Sequence, residues 1–455
     1  MSNPRGGAES STEALTAFLA PASAGTHVKD SAVEESRTPA QPLERAPAIV
    51  TLAATIKKIA DSRRSADLQP EVTLCLDFGT ARSKAFATGR GADGADQYLE
   101  LGIGKRARES DSIYAVSSSV WVDENGRVYV GRSAVERSLQ EGVEHRRLDS
   151  LKQELSQGIM GNPDDIKVPK DLNPTDIPLT YGHLITFYLA FLTDLAESEL
   201  VERHGLSHAV ARRFALPSWD AERLSWGENL LRRYLARAQI VGEHFRGEWH
   251  EGISAHDVKS VIDAVRALDE DSLPYNLILD GVQEPVAAGA SRLRAEGTKG
   301  LVMVIDVGAG TTDFALFLAQ AEDEHERIRA WQVGGSVRTV RMAGDSLDAA
   351  LRNVMLERLG VQNGDPEFRR VNAELQRRIR ASKETLFSKG SVAFYEGQHT
   401  ISKDEFMQSH GARMYAKGLH DTFSQVLTGI HSSFVEALSE GGLRVVLTGG
   451  GATLP

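Results

Sequence analysis

Short apolar runs that end in glycine turns alternate with longer stretches of helical periodicity along most of the chain. Val72–Phe78, Val210–Leu216 and Gly300–Val307 are compact runs rich in strand-forming residues. Tyr181–Leu200 instead carries its apolar residues at helical spacing. Strands that alternate with helices in this way predict an α/β fold.

The same pattern predicts the elements one by one. Strands are predicted over Val72–Phe78, Ser83–Thr88, Ser118–Val122, Arg127–Val130, Val210–Leu216, Tyr275–Asp280, Gly300–Val307, Asp313–Ala319 and Arg444–Leu447. Helices are predicted over Ile49–Ile59, Arg132–Gln140, Leu148–Gln157, Tyr181–Leu200, Asp220–Ala238, Ala255–Leu268, Glu284–Ala295, Leu347–Leu359 and Pro366–Phe387, with further helical pattern over Ser402–Leu438.

Composition and charge narrow the class of protein. The chain has 455 residues, 41% of them hydrophobic, and a formal charge of −11, which argues against general nucleic-acid binding. Its single cysteine, Cys75, excludes an intramolecular disulfide framework and a cysteine-based zinc site. The apolar run at Leu184–Leu192 is too short for a membrane span, and no signal-peptide pattern is present. We therefore expect a cytoplasmic protein without membrane or nucleic-acid partners.

One strand–turn–strand unit occurs twice. Leu76-Asp-Phe-Gly-Thr80 and Ile305-Asp-Val-Gly-Ala-Gly-Thr-Thr-Asp313 both place an aspartate at a strand end, followed by a glycine–threonine turn. The spacing of the two aspartates suits two successive domains and indicates an internal duplication. We therefore expect a disordered tail over 1–70, a first lobe over 71–300 with a polar insertion at about 241–271, and a second lobe over 301–455 that is truncated at its C-terminal end.

Glycine turns between strands suit phosphate binding, because their backbone N–H groups are not screened by a Cβ. Thr448-Gly-Gly-Gly-Ala-Thr453 is a third such turn, flat enough to approach a nucleoside. Asp77 and Asp306 would repel phosphate unless a divalent cation lay between them, and they are suited to hold magnesium through its waters. No Gly-x-x-x-x-Gly-Lys-Ser/Thr and no Gly-x-Gly-x-x-Gly opening a helix after a strand is present, which excludes two other nucleotide signatures.

The three turns, in this order, resemble the phosphate-1, phosphate-2 and adenosine motifs of the superfamily of actin, sugar kinases and heat shock protein 70. The chain is most similar to the heat shock protein 70 ATPase domain. Gln283-Glu-Pro-Val-Ala-Ala-Gly-Ala290 resembles its hinge helix, Met342-Ala-Gly-Asp-Ser-Leu-Asp348 resembles its Leu-Gly-Gly-Glu-Asp-Phe-Asp segment, and Arg378–Leu386 resembles its adenosine-contacting helix. The resemblance covers roughly residues 71–455 and implies a duplicated actin-like, ribonuclease H-like fold with a nucleotide cleft between two lobes.

The resemblance also implies roles for individual residues. It implies an ATPase of low turnover that binds ATP or ADP with Mg²⁺ and acts as a nucleotide-dependent switch, read by a client protein or co-chaperone. The residues implied in catalysis are Lys152, Glu284, Asp306 and Asp313, and those that orient the hydrated magnesium are Asp77 and Asp306. The residues implied in nucleotide binding are Asp77, Gly79, Thr80, Gly308, Gly310, Thr311, Thr312, Gly344, Lys383, Gly449, Gly450 and Gly451.

Several positions depart from the family pattern and keep other functions open. Ala81 and Arg82 replace the usual threonine and tyrosine, Arg380 replaces a glutamate, and Thr453 replaces an arginine. A scaffold that binds nucleotide without hydrolysing it is therefore one alternative, and an actin-like filament or segregation ATPase is another. No sugar-binding constellation supports a sugar kinase. His204 and His208 stand four residues apart, but Gly205 and the lack of an acidic partner favour a surface loop over a metal site.

Overall fold

The fold is mixed α/β, as the alternation of strands and helices predicts. The computed structural model describes residues 48–90, 96–109, 112–156, 161–217, 219, 221–287, 300–322, 327–432, 434 and 442–453. Its helices are α1 (Ala48–Arg64), α2 (Ile103–Arg106), α3 (Gly131–Gln140), α4 (Leu151–Ser156), α5 (Tyr181–His204), α6 (Ala221–His244), α7 (Ala255–Arg266), α8 (Gly344–Leu359), α9 (Phe368–Lys389), α10 (Lys403–Met407) and α11 (His410–Thr428). Its strands are β1 (Val72–Asp77), β2 (Arg82–Arg90), β3 (Asp96–Glu100), β4 (Ala115–Ser117), β5 (Val120–Val122), β6 (Arg127–Val130), β7 (Ala211–Leu216), β8 (Ile253–Ser254), β9 (Val282–Gln283), β10 (Gly300–Val307), β11 (Thr312–Glu322), β12 (Arg327–Gln332), β13 (Arg338–Val340), β14 (Ser391–Phe394), β15 (His399–Ser402) and β16 (Leu443–Thr448).

The first sheet is built around the hairpin of β1 and β2. Its strand order is β3-β2-β1-β7-β9, with β4 paired to β2. β1 lies antiparallel to β2 and parallel to β7. Val72, Leu74 and Leu76 alternate into the core, so Asp77 falls on the opposite face at the carboxyl end of β1.

The second sheet has the same arrangement of strands. Its order is β12-β11-β10-β16, with β13 paired to β11. β10 lies antiparallel to β11 and parallel to β16, just as β1 lies between β2 and β7. Both faces of β10 pack against apolar side chains, which explains its nearly continuous apolar sequence. In each sheet the aspartate singled out from the sequence lies near the carboxyl end of a strand with a parallel neighbour.

The longest apolar stretch of the sequence lies inside a buried helix. Leu184–Leu192 is the central part of α5, and its residues are buried on all sides of the helix. Thr180 and His183 form a capping box at the start of α5, and Gly205 ends the helix in a left-handed conformation. A helix that is apolar all round belongs in the interior of a large core. None of the described helices is both long and apolar enough to cross a membrane.

Ordered structure begins well before residue 71, where the tail was expected to end. Residues 1–47 lie outside the described part of the chain, but α1 extends the helix predicted over Ile49–Ile59 by one turn at its C-terminal end. Ile56 and Ala60 are buried in the core of the first sheet. Arg63, only 3% exposed, donates to Glu197 and Glu243, which ties α1 to α5 and α6. The helix predicted over Ile49–Ile59 is confirmed, whereas the expected disorder was wrong for 48–64, because apolar residues and Arg63 of α1 are buried against the rest of the chain.

The segment at 241–271 is part of the core rather than a polar, irregular insertion. α6 continues to His244, and α7 confirms the helix predicted from Ala255. Val241, Phe245, Trp249 and six apolar residues of 253–265 are buried. The polar average composition of this segment therefore concealed an apolar helix face.

The strand predicted over Tyr275–Asp280 is also absent. Tyr275–Leu277 forms a 3-10 turn in which Leu277 N–H donates to the Pro274 carbonyl, and Val282–Gln283 supplies the strand instead. Leu277 and Ile278 are buried, so the apolar run indicated burial correctly but not its backbone conformation. Strands β3, β4, β12 and β13 and the hairpin of β14 and β15 lack a sequence prediction. The helix predicted over Glu284–Ala295 is described only at 284–287, which are helical.

Candidate functional site

The turns of the two hairpins meet at Gly310. Gly79 and Thr80 lie in the turn between β1 and β2, while Gly308, Gly310 and Thr311 lie in the turn between β10 and β11. A Cβ placed on Gly310 would lie 2.9 Å from Thr80 Cγ2 and would overlap the Gln153 side-chain amide. Glycine allows this approach, since a Cβ here would force the side chains of Gln153 and Thr80 to shift. The structure thus brings together the first and second turns, which are more than 200 residues apart in sequence.

A buried lysine lies among carboxylates beside these turns. Lys152, on α4, donates a hydrogen bond to Glu284 Oε1, and both side chains are largely buried. Lys152 also interacts electrostatically with Asp77 and Asp313. Asp306 interacts with Asp313, Asp77 and Lys152. All four residues implied in catalysis, together with Asp77, therefore form one cluster.

Backbone register explains why this cluster forms. Asp306 and Asp313 are direct partners across the β10–β11 hairpin, so they lie side by side although seven positions separate them. Asp313 accepts from Thr339 Oγ1 at 2.5 Å and from Thr311 Oγ1 at 3.3 Å, which fixes its carboxylate. β9 pairs with β7, itself the neighbour of β1, and so places Glu284 near the end of β1. Each residue thus reaches the site from the end of a strand or the start of a helix.

Burial and like charges shift the proton affinities of the cluster. Burial, with the neighbouring Asp313 and Asp77 carboxylates, raises the pKa of Asp306 from 3.8 to about 6. Burial likewise raises the pKa of Glu284, and Asp77 and Asp313 add to this effect while Lys152 opposes it. Burial alone would lower the pKa of Lys152, but Glu284, Asp77 and Asp313 raise it above its ordinary value. The cluster is thus rich in negative charge, and a bound cation would stabilise it.

The third glycine turn lies directly over Asp306. Thr448 pairs with Asp306 across β16 and β10, and Gly449 follows with φ of +85°. A Cβ on Gly449 would overlap both the Asp306 carboxylate and the Val307 carbonyl oxygen, so only glycine fits. Gly450 has open space around it, whereas Gly451 packs against Val307. The turn at Gly449, predicted to contact a nucleoside, is therefore adjacent to Asp306, the carboxylate predicted to hold the hydrated magnesium.

Helices α8 and α9 support the second turn. Gly344 N–H donates to the Gly308 carbonyl at 3.1 Å, and Asp345 N–H donates to the Ala309 carbonyl at 2.8 Å. Lys383, on α9, donates to the Gly344 carbonyl and pairs with Asp348, each at 2.8 Å. The two predicted residues Gly344 and Lys383 therefore contact each other. The ion pair between Lys383 and Asp348 therefore joins α9 to α8, and does not lie within α9.

Thr312 is the one predicted residue whose side chain turns away from the turns. Its hydroxyl is fully buried and donates to the Met342 carbonyl at 2.5 Å. The reason is the alternation of β11, which places Thr311 and Asp313 on the opposite face from Thr312. Thr312 holds β11 against the segment before α8 rather than offering a hydroxyl to a phosphate.

Sequence reasoning missed two residues of the site. Lys84 is the hairpin partner of Asp77 and lies close enough to Asp306 to lower its pKa. It stands seven positions after Asp77, as Asp313 stands seven after Asp306, so an alignment of the two repeated units would have found it. Gln153 follows Lys152 on α4 and contacts Gly310. Nothing in the sequence around Gln153 marks it.

The residues present fit a nucleotide and a hydrated magnesium ion by their chemistry. Gly450 leaves open the backbone position that a Cβ would fill, and the carboxylate cluster favours a divalent cation. Among the described residues, no group of three or more histidine, cysteine, aspartate or glutamate side chains is arranged to hold a metal ion directly. Cavities of about 540 Å³ beside Phe368 and about 440 Å³ beside Arg132 lie away from the three turns. The candidate site therefore lies at the turns and not in these cavities.

The raised pKa of Asp306 gives a testable pH dependence. Folded Asp306 binds its proton more tightly than the unfolded chain does, so its contribution to stability is lost as the pH rises from 3.8 through about 6. Asp306→Asn removes this loss. We expect the variant to become more stable relative to the wild type across that window, as measured by urea unfolding at several pH values. The surface replacement Asp421→Asn should not reproduce the effect. If the stability difference between Asp306→Asn and the wild type did not change with pH, the raised pKa of Asp306 would be contradicted.

Comparison with known proteins adds no family to this geometry: no family model matches the chain, and a search of curated proteins returned no match.

Proposed function

We propose that the chain is an ATP-binding protein of the heat shock protein 70 type that hydrolyses ATP slowly with Mg²⁺. In this proposal its two sheets are the cores of two related actin-like lobes, and the nucleotide lies between them. The protein acts in the cytoplasm as a nucleotide-dependent switch, whose state a client protein or co-chaperone reads.

One observation carries the proposal. Two hairpins with the same strand order present their glycine turns to each other, and an aspartate from each lies in one buried cluster with Lys152 and Glu284. Glycine turns offer N–H groups to phosphate, and the excess of carboxylates favours a bound cation. A purely structural role would not require four carboxylates, all at least partly buried, around one lysine, because burying like charges together is costly.

Each residue has a role that suits phosphoryl transfer to water. Bound Mg²⁺ would neutralise charge on the phosphate oxygens, and Asp77 and Asp306 would hold it through its waters. Lys152 supplies a fixed positive charge beside the turns, and Glu284 and Asp313 offer acceptors that orient a water molecule. Thr80 offers a hydroxyl donor from the first turn, and Thr311, whose hydroxyl donates to Asp313, would turn it to a bound phosphate. No covalent nucleophile is needed.

Contacts between the parts built on the two sheets provide a basis for switching. Arg377 on α9 donates to Glu144, which precedes α4, and Gln153 on α4 contacts Gly310. A ligand that binds both turns would favour the arrangement in which these contacts are made.

A thermal-shift experiment tests the proposal. Saturating ATP with Mg²⁺ should raise the melting temperature by a few degrees, because a ligand at about 100 times its Kd stabilises the folded state by about 2.7 kcal/mol. If neither ATP nor ADP raises the melting temperature, the proposal is wrong. Binding without release of phosphate would favour the non-hydrolysing scaffold, and an ATP-dependent increase in light scattering would favour the filament-forming ATPase.

A further inference from the structure

Gln153 lies where the elements of the two sheets meet, although the roles assigned above do not use it. Its backbone N–H donates to the Ser150 carbonyl at 2.9 Å and sets the first turn of α4. From this turn Lys152 reaches Glu284, while Gln153 reaches Gly310. Two consecutive residues of one short helix therefore contact opposite sides of the site.

The side-chain amide of Gln153 is wedged between the two phosphate-type turns. Its nitrogen is so close to Gly310 that a Cβ there would overlap it, and Thr80 approaches the same point from the first turn. Gly310 is itself buried. The amide is thus held at the point where both turns meet, instead of projecting into solvent.

The chemistry of an amide suits an anion at this point. A glutamine side chain carries two N–H donors and no charge, so it adds donors without disturbing the balance between Lys152 and the carboxylates. Hydrogen bonds to a charged group are stronger than those between neutral groups. The nucleoside-type turn at Gly449 lies over Asp306, whereas Gln153 lies at the junction of Gly310 and Thr80 beside Lys152. A nucleotide that spans these positions would bring its last phosphoryl group to the junction.

Resting on the proposed function, we propose that Gln153 determines the preference for a nucleoside triphosphate over a diphosphate, because its side-chain amide contacts the terminal phosphoryl group. ADP lacks that group and leaves the amide without this contact. Gly310 contributes by leaving room for the amide between the turns. Gln153 is therefore a specificity-determining residue, separate from the lysine and carboxylates that promote hydrolysis.

Calorimetric titration with ADP and with the non-hydrolysable β,γ-imido analogue of ATP, both with Mg²⁺, tests the proposal without turnover. Gln153→Ala should weaken binding of the triphosphate analogue by roughly 10- to 100-fold, as expected for the loss of a hydrogen bond to a charged group. ADP affinity should change by less than about two-fold, since no ADP contact is lost. Gln153→Glu, which keeps the size but replaces donors with negative charge, should lose more triphosphate affinity than Gln153→Ala.

Control variants separate recognition from packing. Gln140→Ala, at the end of α3, should leave both affinities unchanged. If Gln153→Ala does not fold, Gln153→Asn keeps the amide but shortens its reach and should show the same selective loss. Equal losses for the two nucleotides would overturn the proposal and make Gln153 a packing residue. A wild-type protein that binds neither nucleotide would instead overturn the proposed function itself, before any variant is compared.

Discussion

Asp306→Asn should reduce ATP turnover by about 10- to 100-fold while leaving the fold intact, the range seen when a residue that orients a metal's ligands is lost. Asp306 lies at the meeting point of three features: the Asp313 carboxylate across the hairpin, the Thr448 backbone across β16, and Gly449 above it. Asparagine has the same shape, so these contacts survive. Only the negative charge that would hold hydrated magnesium disappears.

The fold should tolerate this change because the wild-type carboxylate is not stabilised where it lies. Its pKa is raised by burial and by Asp313 and Asp77, so removing its charge relieves repulsion at neutral pH. Phosphate release per minute and urea unfolding, measured on the same preparation, separate the two effects. Asp421→Asn, on the surface of α11, is the matched control and should preserve turnover. Equal turnover for Asp306→Asn and the wild type would remove Asp306 from the mechanism.

The sequence predicted most reliably the features that depend on local chemistry. The strands around Asp77 and Asp306 were predicted from short apolar runs that end in glycine turns, and each forms a hairpin. Gly449 has a positive φ that itself favours glycine, whereas at Gly310 it is the side chains of Thr80 and Gln153 that leave no room for a Cβ. The glycines are visible in the chain, but the reason for Gly310 is not.

Features that depend on distant partners could not be predicted. A helix was predicted over Ile49–Ile59 within a disordered tail, because the sequence does not reveal that Glu197, over 130 residues away, would pair with Arg63 and hold this helix against the core. The contact between Gln153 and Gly310 depends in the same way on how α4 meets the second hairpin. Thr312 shows a third limit: its position in the motif was predicted, but the alternation along β11 turns its hydroxyl towards Met342. Local pattern thus locates the turns, and tertiary packing decides which side chains face them.

Lys152→Met should have the largest effect on stability, with a loss of about 3–5 kcal/mol, as when one partner of a buried ion pair is removed. Lys152 is buried and bonds to Glu284, with Asp77 and Asp313 nearby. Methionine nearly matches the length of the lysine stem, so the variant removes charge more than volume. Turnover should also be lost, because the fixed positive charge beside the turns is gone.

The pH dependence of this loss identifies its cause. Burial raises the pKa of Glu284 to about 8 even with Lys152 in place, and without the lysine the pKa rises further. Glu284 can then stay neutral by keeping its proton, so the stability deficit of Lys152→Met is smallest at low pH. Below pH about 8 both folded proteins keep this proton, so the deficit is nearly constant there, and it grows as the pH rises above about 8.

Adding Glu284→Gln to Lys152→Met should restore most of the lost stability at neutral pH, since an amide needs no opposite charge, while turnover stays absent. Urea unfolding of the wild type, both single variants and the double variant gives the four free energies of unfolding of a double-mutant cycle. Lys417→Met, which breaks only a surface pair with Asp421, is the control and should cost less than about 1 kcal/mol. If Glu284→Gln fails to restore stability, Lys152 contributes through packing alone. If it restores stability but not turnover, the charge of Lys152 serves the reaction, and Glu284 is the group that makes its removal costly.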